Sequence, residues 1–498
     1  MKKKVLLVLL CGSLSMSVLT ACGGGQETVT EEIATVEEMA EEKVEESTVE
    51  EVYDYASQME LAKQYLDGEK EDGVATDYVK ASELAQEMIA RGYAEGYYIE
   101  AEIANNENNY EKAFENYNKA LDGTDEDILG QAMNMIGFYY MQGFGVEQDY
   151  AKAIEWHEKG IEKGNDSALC NLAYHYQHGY GVEQDGAKAI EYYERVIANG
   201  KDEGAIETSY NNIGWGYDQG LGVEVDYAKA IEYYQKAGEL GSGLAYSNMG
   251  NLYRDGKGVE VDYAKAIELY ERGAELGEWK AYSNMGTLYL REGEYLDVVK
   301  GLEYYEKVYE LGGSEAGEHA YSIGTYYEAG NGVEQDSAKA IEWYEKAGLA
   351  GNSQAYNSLG TMYYNGKGVE QDYVKAIEWF EKAAELGDSI CSIMIGNMYY
   401  RGEEGVEQDS AKAIEWYEKG AEQGETLGMR LLGDTYVLGE IVEQDFVKAA
   451  EWYEKGAELG DADCMERIAL LYENGRGVEQ NEEKAAEWYA KAEEASAE

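Results

Sequence analysis

At 498 residues the chain is long enough for several compact domains, and a hydrophobic content of 44% supplies a core, which excludes wholesale disorder. Asp and Glu number 100 against 41 Lys and Arg, a net charge of −59. With no basic stripe in that field, nucleic acid binding through phosphate neutralisation is excluded and adhesion to anionic lipid is disfavoured.

Residues 1–21 begin Met-Lys-Lys-Lys, pass through an apolar stretch at 5–10 and close on Leu19-Thr20-Ala21. A positive start, a short apolar core and small residues before a boundary describe an export signal; the run is too short and too interrupted for a membrane span. With Cys22 this end resembles the lipobox of bacterial lipoprotein signal peptides. The resemblance implies that Cys22 is lipidated and opens the mature chain, at the bacterial cell membrane on its extracytoplasmic side, with that anchor as the only membrane contact. Residues 22–52 then form an acidic linker. Gly23-Gly24-Gly25 is followed by a Glu-dominated stretch whose single base is Lys43, either a helical or a disordered spacer, biased toward extension by charge repulsion.

From residue 53 onward the chain repeats itself. Gly-Val-Glu-Gln-Asp, or a near copy, opens at Gly145, Gly181, Gly222, Gly258, Gly332, Gly368, Gly405 and Gly477, mostly 36 or 37 residues apart or at twice that distance. Such a period marks a solenoid, in which each unit buries its apolar face only against its neighbours. Proline is absent, so the turns are built from Gly, Asn and Asp. In the unit at 352–387, Ala355, Leu359, Met362 and Tyr363 at helical spacing predict a helix A. A Gly-x-Gly-Val turn stops it, Asp372 has the chemistry of an N-cap, and Ala376, Ile377, Trp379 and Phe380 predict the packing face of a helix B that Gly387 ends. A small residue recurs inside helix A (Gly214, Gly250, Gly286, Gly324, Gly360), where close approach of two helices is expected, and a Tyr follows three residues later. The aromatic at one place in helix B (Trp156, Trp343, Trp379, Trp416, Trp452, Trp488) reads as core.

The Ala…Leu-Gly-x-x-Tyr run, the Gly-x-Gly-Val-x-x-Asp turn and Lys-Ala-x-x-Trp-Tyr-x-Lys-Ala…Gly resemble the Sel-1-like repeat family, relatives of the tetratricopeptide repeats. The fold class this implies is all-α, an α/α superhelical solenoid of about twelve helix–turn–helix repeats of about 36 residues, over 53–498. Two units depart from the pattern: that at 94–123 lacks the Gly-Val turn, and that at 278–312 keeps Asp297 as cap but has a short turn.

Reactive chemistry is sparse. Cys391 and Cys464 stand where other units carry Ala and read as buried small residues; with Cys170 they lack the paired pattern of cysteine-rich relatives. His175 and His178 could touch one metal from one helix face, but no further ligand completes a site, so neither a metal nor a cofactor is expected. No Ser-x-x-Lys, His-Glu-x-x-His or phosphate-cradling loop is present, and no enzymatic activity is expected. What remains is a face. Two residues before the small Gly or Ala, helix A carries Asn171, Asn212, Asn248 and Asn284 in four consecutive units, and the place just after it carries Tyr174, Trp215 and Asn251, with Arg254 and Arg291 nearby. Such an Asn ladder looks like the way related repeats grip the backbone of an extended peptide. The expected function is a lipid-anchored, non-catalytic scaffold binding a protein or peptide along its concave face. The alternatives are an envelope hydrolase or lactam-binding protein, which lacks a nucleophile here, and a passive acidic spacer.

Overall fold

The computed structural model describes residues 54–68, 76–291 and 293–496, and within them the chain forms twenty-four α-helices and no strand. The segment read as an export signal, Cys22 and the expected acidic linker lie outside the described residues. Helices alternate as A and B in hairpins, the solenoid architecture that the period implies. Two compact units divide the chain at Asp149/Tyr150. The first contains the irregular hairpin Gly96–Asn106 and Tyr110–Ala120, whose short turn places Asn108 at φ 58°, the one positive-φ non-Gly among the described residues. No helix among the described residues is long and apolar enough to cross a membrane.

The recurring small residue of helix A has a specific cause in the second unit. An aromatic ring of the paired helix B packs against it: a Cβ built on Gly250 would stand 2.6 Å from the Tyr270 ring, and one on Gly360 2.5 Å from Phe380. Gly214, Gly286, Gly324, Gly396 and Gly433 meet Tyr234, Tyr305, Tyr344, Tyr417 and Tyr453 in the same way. Tyr193, Tyr234, Tyr270, Tyr344 and Phe380 are fully buried. The core aromatic is therefore the residue after the one expected. Of the Trp column only Trp343 is buried; Trp156, Trp379, Trp416, Trp452 and Trp488 are half-buried. One residue along a helix turns the side chain by about 100°, enough to move a ring from the seam to its rim. There a Lys three residues on covers it: Lys159 over Trp156 at 3.8 Å, and Lys382 over Trp379 and Lys455 over Trp452 at 3.9 Å.

Each buried phenol needs a partner, and helix A supplies it. Tyr270 donates to Asn251 Oδ1 at 2.7 Å, Tyr344 to Glu328 Oε2 at 2.6 Å, Tyr417 to Asn397 Oδ1 at 2.9 Å and Tyr453 to Asp434 Oδ1 at 2.6 Å. The Gly-Val-Glu-Gln-Asp turn is explained residue by residue. Both glycines hold positive φ, as at Gly366 (66°) and Gly368 (75°). Gln371 Nε2 donates back to the Tyr364 carbonyl at 2.8 Å, satisfying an orphan carbonyl of helix A. Asp372 Oδ1 accepts from the Lys375 N–H at 3.0 Å, capping Tyr373–Glu385. Asp297 caps Val298–Glu310 despite the short turn before it. Cys391 and Cys464 are buried, free thiols at the Ala position, as expected.

Candidate functional site

In the second unit the A helices Asp166–His178, Glu203–Gln219, Gly243–Asp255 and Trp279–Leu290 each touch the next A helix. The Asn column rides on these four. Asn171, Asn212, Asn248 and Asn284 are all half-buried. Hydrogen bonds tie Asn212, Asn248 and Asn284 to polar neighbours, some of them on the next helix. Gln177 Nε2 donates to the Asn212 backbone carbonyl at 2.8 Å, Asn248 Nδ2 donates to Asn211 Oδ1 at 3.3 Å, and Asn211 Nδ2 donates to Asn212 Oδ1 at 3.4 Å. Asn212 also donates to the Tyr193 hydroxyl at 3.3 Å. Asn284 Oδ1 accepts from Arg254 Nη1 at 3.4 Å.

Asn211 and Gln177 are members of this row that sequence reasoning missed. Both are buried, and their signal was slight: a second Asn beside Asn212, and a polar residue four positions after Ala173. Asn251, in the column just after the small residue, accepts instead from the Tyr270 hydroxyl. Arg254 is held by Asp255, Nε to Oδ1 at 2.7 Å. The hydrogen bond from Arg254 is the main reason the Asp255 carboxyl is held below its usual range, with the positive charge of Arg291 adding to it. Arg291 itself is exposed.

Tyr174 and Trp215 flank His178, with ring centroids 4.1 and 5.1 Å away, and Tyr180 stacks on the same imidazole at 5.2 Å. The sequence-level histidine pair is thus separated by role. His178 is packed among rings, while His175 donates from Nδ1 to the Tyr180 carbonyl at 2.8 Å and lies 5.5 Å from His157, ring to ring. Burial pushes all three imidazoles toward the neutral form, His157 to about 3. Among the described residues no group of three or more His, Cys, Asp or Glu is disposed to hold a metal ion. Burial also pushes the Cys170 thiol up to about 12, away from the thiolate a nucleophile needs. The chemistry this face offers is hydrogen bonding by amides and contact by aromatic rings.

Twelve successive segments, from 56–93 through 462–496, match the Sel1 repeat model. The chain belongs to the Sel1 repeat family. Among solved structures it is similar to a protective antigen of uropathogenic Escherichia coli strains displaying an SLR fold, at 29% identity over 89% of this chain and 90% of that one, with a TM-score of 0.40. It is also similar to a Sel1 repeat protein of Oxalobacter formigenes, at 27% identity over 65% of this chain and 90% of that one, with a TM-score of 0.46. No match is found among curated proteins. Sel1-repeat proteins are generally protein-interaction scaffolds.

Proposed function

We propose that this Sel1-repeat protein is an exported scaffold, anchored through a lipidated Cys22 and non-catalytic, that holds an extended protein or peptide segment along its A-helix face. The observation that carries the reading is the half-buried amide row running through Asn171, Asn212, Asn248 and Asn284 on four successive A helices. A carboxamide carries both donors and an acceptor, the complement of a peptide group, so a row of them selects backbone over side-chain sequence. The Tyr174 and Trp215 rings beside the row supply apolar contact at low entropic cost.

The test is in-cell cross-linking with the anchored chain, washed at high salt, beside the double variant Trp215→Ala, Asn248→Ala. One enriched partner, lost in the variant, is the expected result; a partner retained at unchanged affinity overturns the assignment to this face. The anchor is tested separately by Cys22→Ser, which should move the protein out of the membrane fraction and abolish labelling by a palmitate probe. The net charge of −59 favours a second reading, a passive acidic spacer. It expects diffuse, salt-screened cation uptake and no saturable protein partner.

A further inference from the structure

One turn of the second unit is built differently. Between Gly368 and Gly405 the period is 37 residues rather than 36, because the turn reads Gly402-Glu403-Glu404-Gly405 where its neighbour reads Gly366-Lys367-Gly368. Elsewhere the second turn glycine abuts the start of the preceding helix B: a Cβ on Gly181 would stand 2.7 Å from Tyr150, and one on Gly332 2.5 Å from Val298. At Gly405 the only neighbour is Val374 Cγ2 at 3.5 Å. The longer turn closes on itself instead, Val406 N–H to the Glu403 carbonyl at 2.8 Å, and Val406 is buried where the corresponding Val333 and Val369 are only half-buried.

The space so opened is a cavity of about 370 Å³ between Tyr373–Glu385, the turn and Ser410–Glu422. Val374, Ile377, Val406 and Tyr399 supply its apolar surface. The charged groups that line it are Glu378, Glu381, Glu407, Asp409 and Lys412. Asp409 is spent as a cap on the Ala411 and Lys412 N–H groups, and Lys412 lies over the Tyr399 ring at 4.8 Å. Glu378, Glu381 and Glu407 are left as a negative wall above a hydrocarbon floor. Burial, and then the charge of Glu385, raise the Glu381 carboxyl above its ordinary range, against the lowering effect of Lys419 and Lys412.

We infer that this cavity binds the side chain of a basic residue, Arg or Lys, presented by a partner polypeptide. The methylene stem would lie on Val374, Ile377 and Val406 while the cationic head meets Glu378 and Glu381, an arrangement that matches shape and charge together. No residue of the amide row takes part, so the inference stands or falls apart from the reading of that face.

The experiment is a titration of the full chain, methyl-labelled at Ile and Val, with Nα-acetyl-arginine amide and with its neutral isostere Nα-acetyl-citrulline amide, at physiological ionic strength. The expected result is a saturable shift of the Ile377 and Val406 methyl signals by arginine, with binding about tenfold weaker for citrulline and for the variant Glu381→Gln. Deletion of Glu404, which restores the short turn, should abolish the shift; a circular dichroism spectrum checks that this variant remains helical, and Glu381→Gln decides alone if it does not. Citrulline matching arginine, equal shifts at Val333 and Val369, or no saturation would each overturn the inference.

Discussion

A methyl group added at Gly250 would sit 2.6 Å from the Tyr270 ring, closer than carbon atoms pack. Ala is the better helix former by about 1 kcal/mol, yet Gly250→Ala is expected to destabilise by about 1–3 kcal/mol, because ring and helix must move apart. Urea unfolding of the full chain measures it. Ala173 shows that the position accepts a methyl when the surrounding repeat is built around it. Tyr270→Phe should cost about 1 kcal/mol through loss of the bond to Asn251. His157 fills the place in helix B that Tyr or Phe takes in the other repeats of the second unit, with neither ring nitrogen hydrogen-bonded. It is neutral in the fold and titrates near 3, whereas the unfolded chain protonates it near 6.5. The unfolded state thus binds the extra proton first, so stability falls as pH drops from 6.5 toward 3, by about 2 kcal/mol at pH 5. His157→Phe should remove that component, read as the difference between the two proteins' melting temperatures across pH. The glycine and aromatic columns were legible in the sequence; which of two adjacent aromatics meets the glycine was not, since both fall on one apolar stripe and only the packed seam separates them.

The hairpin is fastened at both ends of its turn, by Gln371 on the outgoing carbonyl and by Asp372 on the incoming N–H groups. Asp372→Ala should cost about 1 kcal/mol, and Asp372→Asn close to nothing, because Asn481 caps Glu482–Ala495 with the same geometry; thermal melts of the two variants decide it. The cap could be read from the sequence because its bond is local. The Gln bond reaches back seven residues and could not. The amide row was legible as a column but not as a network. Its ties, Asn248 to Asn211 and Arg254 to Asn284, run between repeats, 37 and 30 residues apart, where periodicity gives alignment without contact. The cavity beside Gly405 left only a spacing of 37 in place of 36.

Over the whole chain, 100 acidic residues against 41 basic ones leave a net charge of −59 that repels itself, and many of the cations lie on aromatic rings: Lys346 on Trp343, Lys188 on Tyr176, Lys300 on Tyr289. Raising ionic strength should therefore raise the melting temperature, the reverse of what a fold held by surface ion pairs would show, and a salt series by circular dichroism measures it. The fold class was legible at this scale because twelve copies average away the accidents of any one. The Gly–aromatic lock carries a consequence for how such a chain grows. Gly360 and Phe380 belong to one hairpin, so a duplicated segment of coding sequence arrives with its own lock already matched, and the array can lengthen or shorten by whole repeats while no existing pair has to be rewritten.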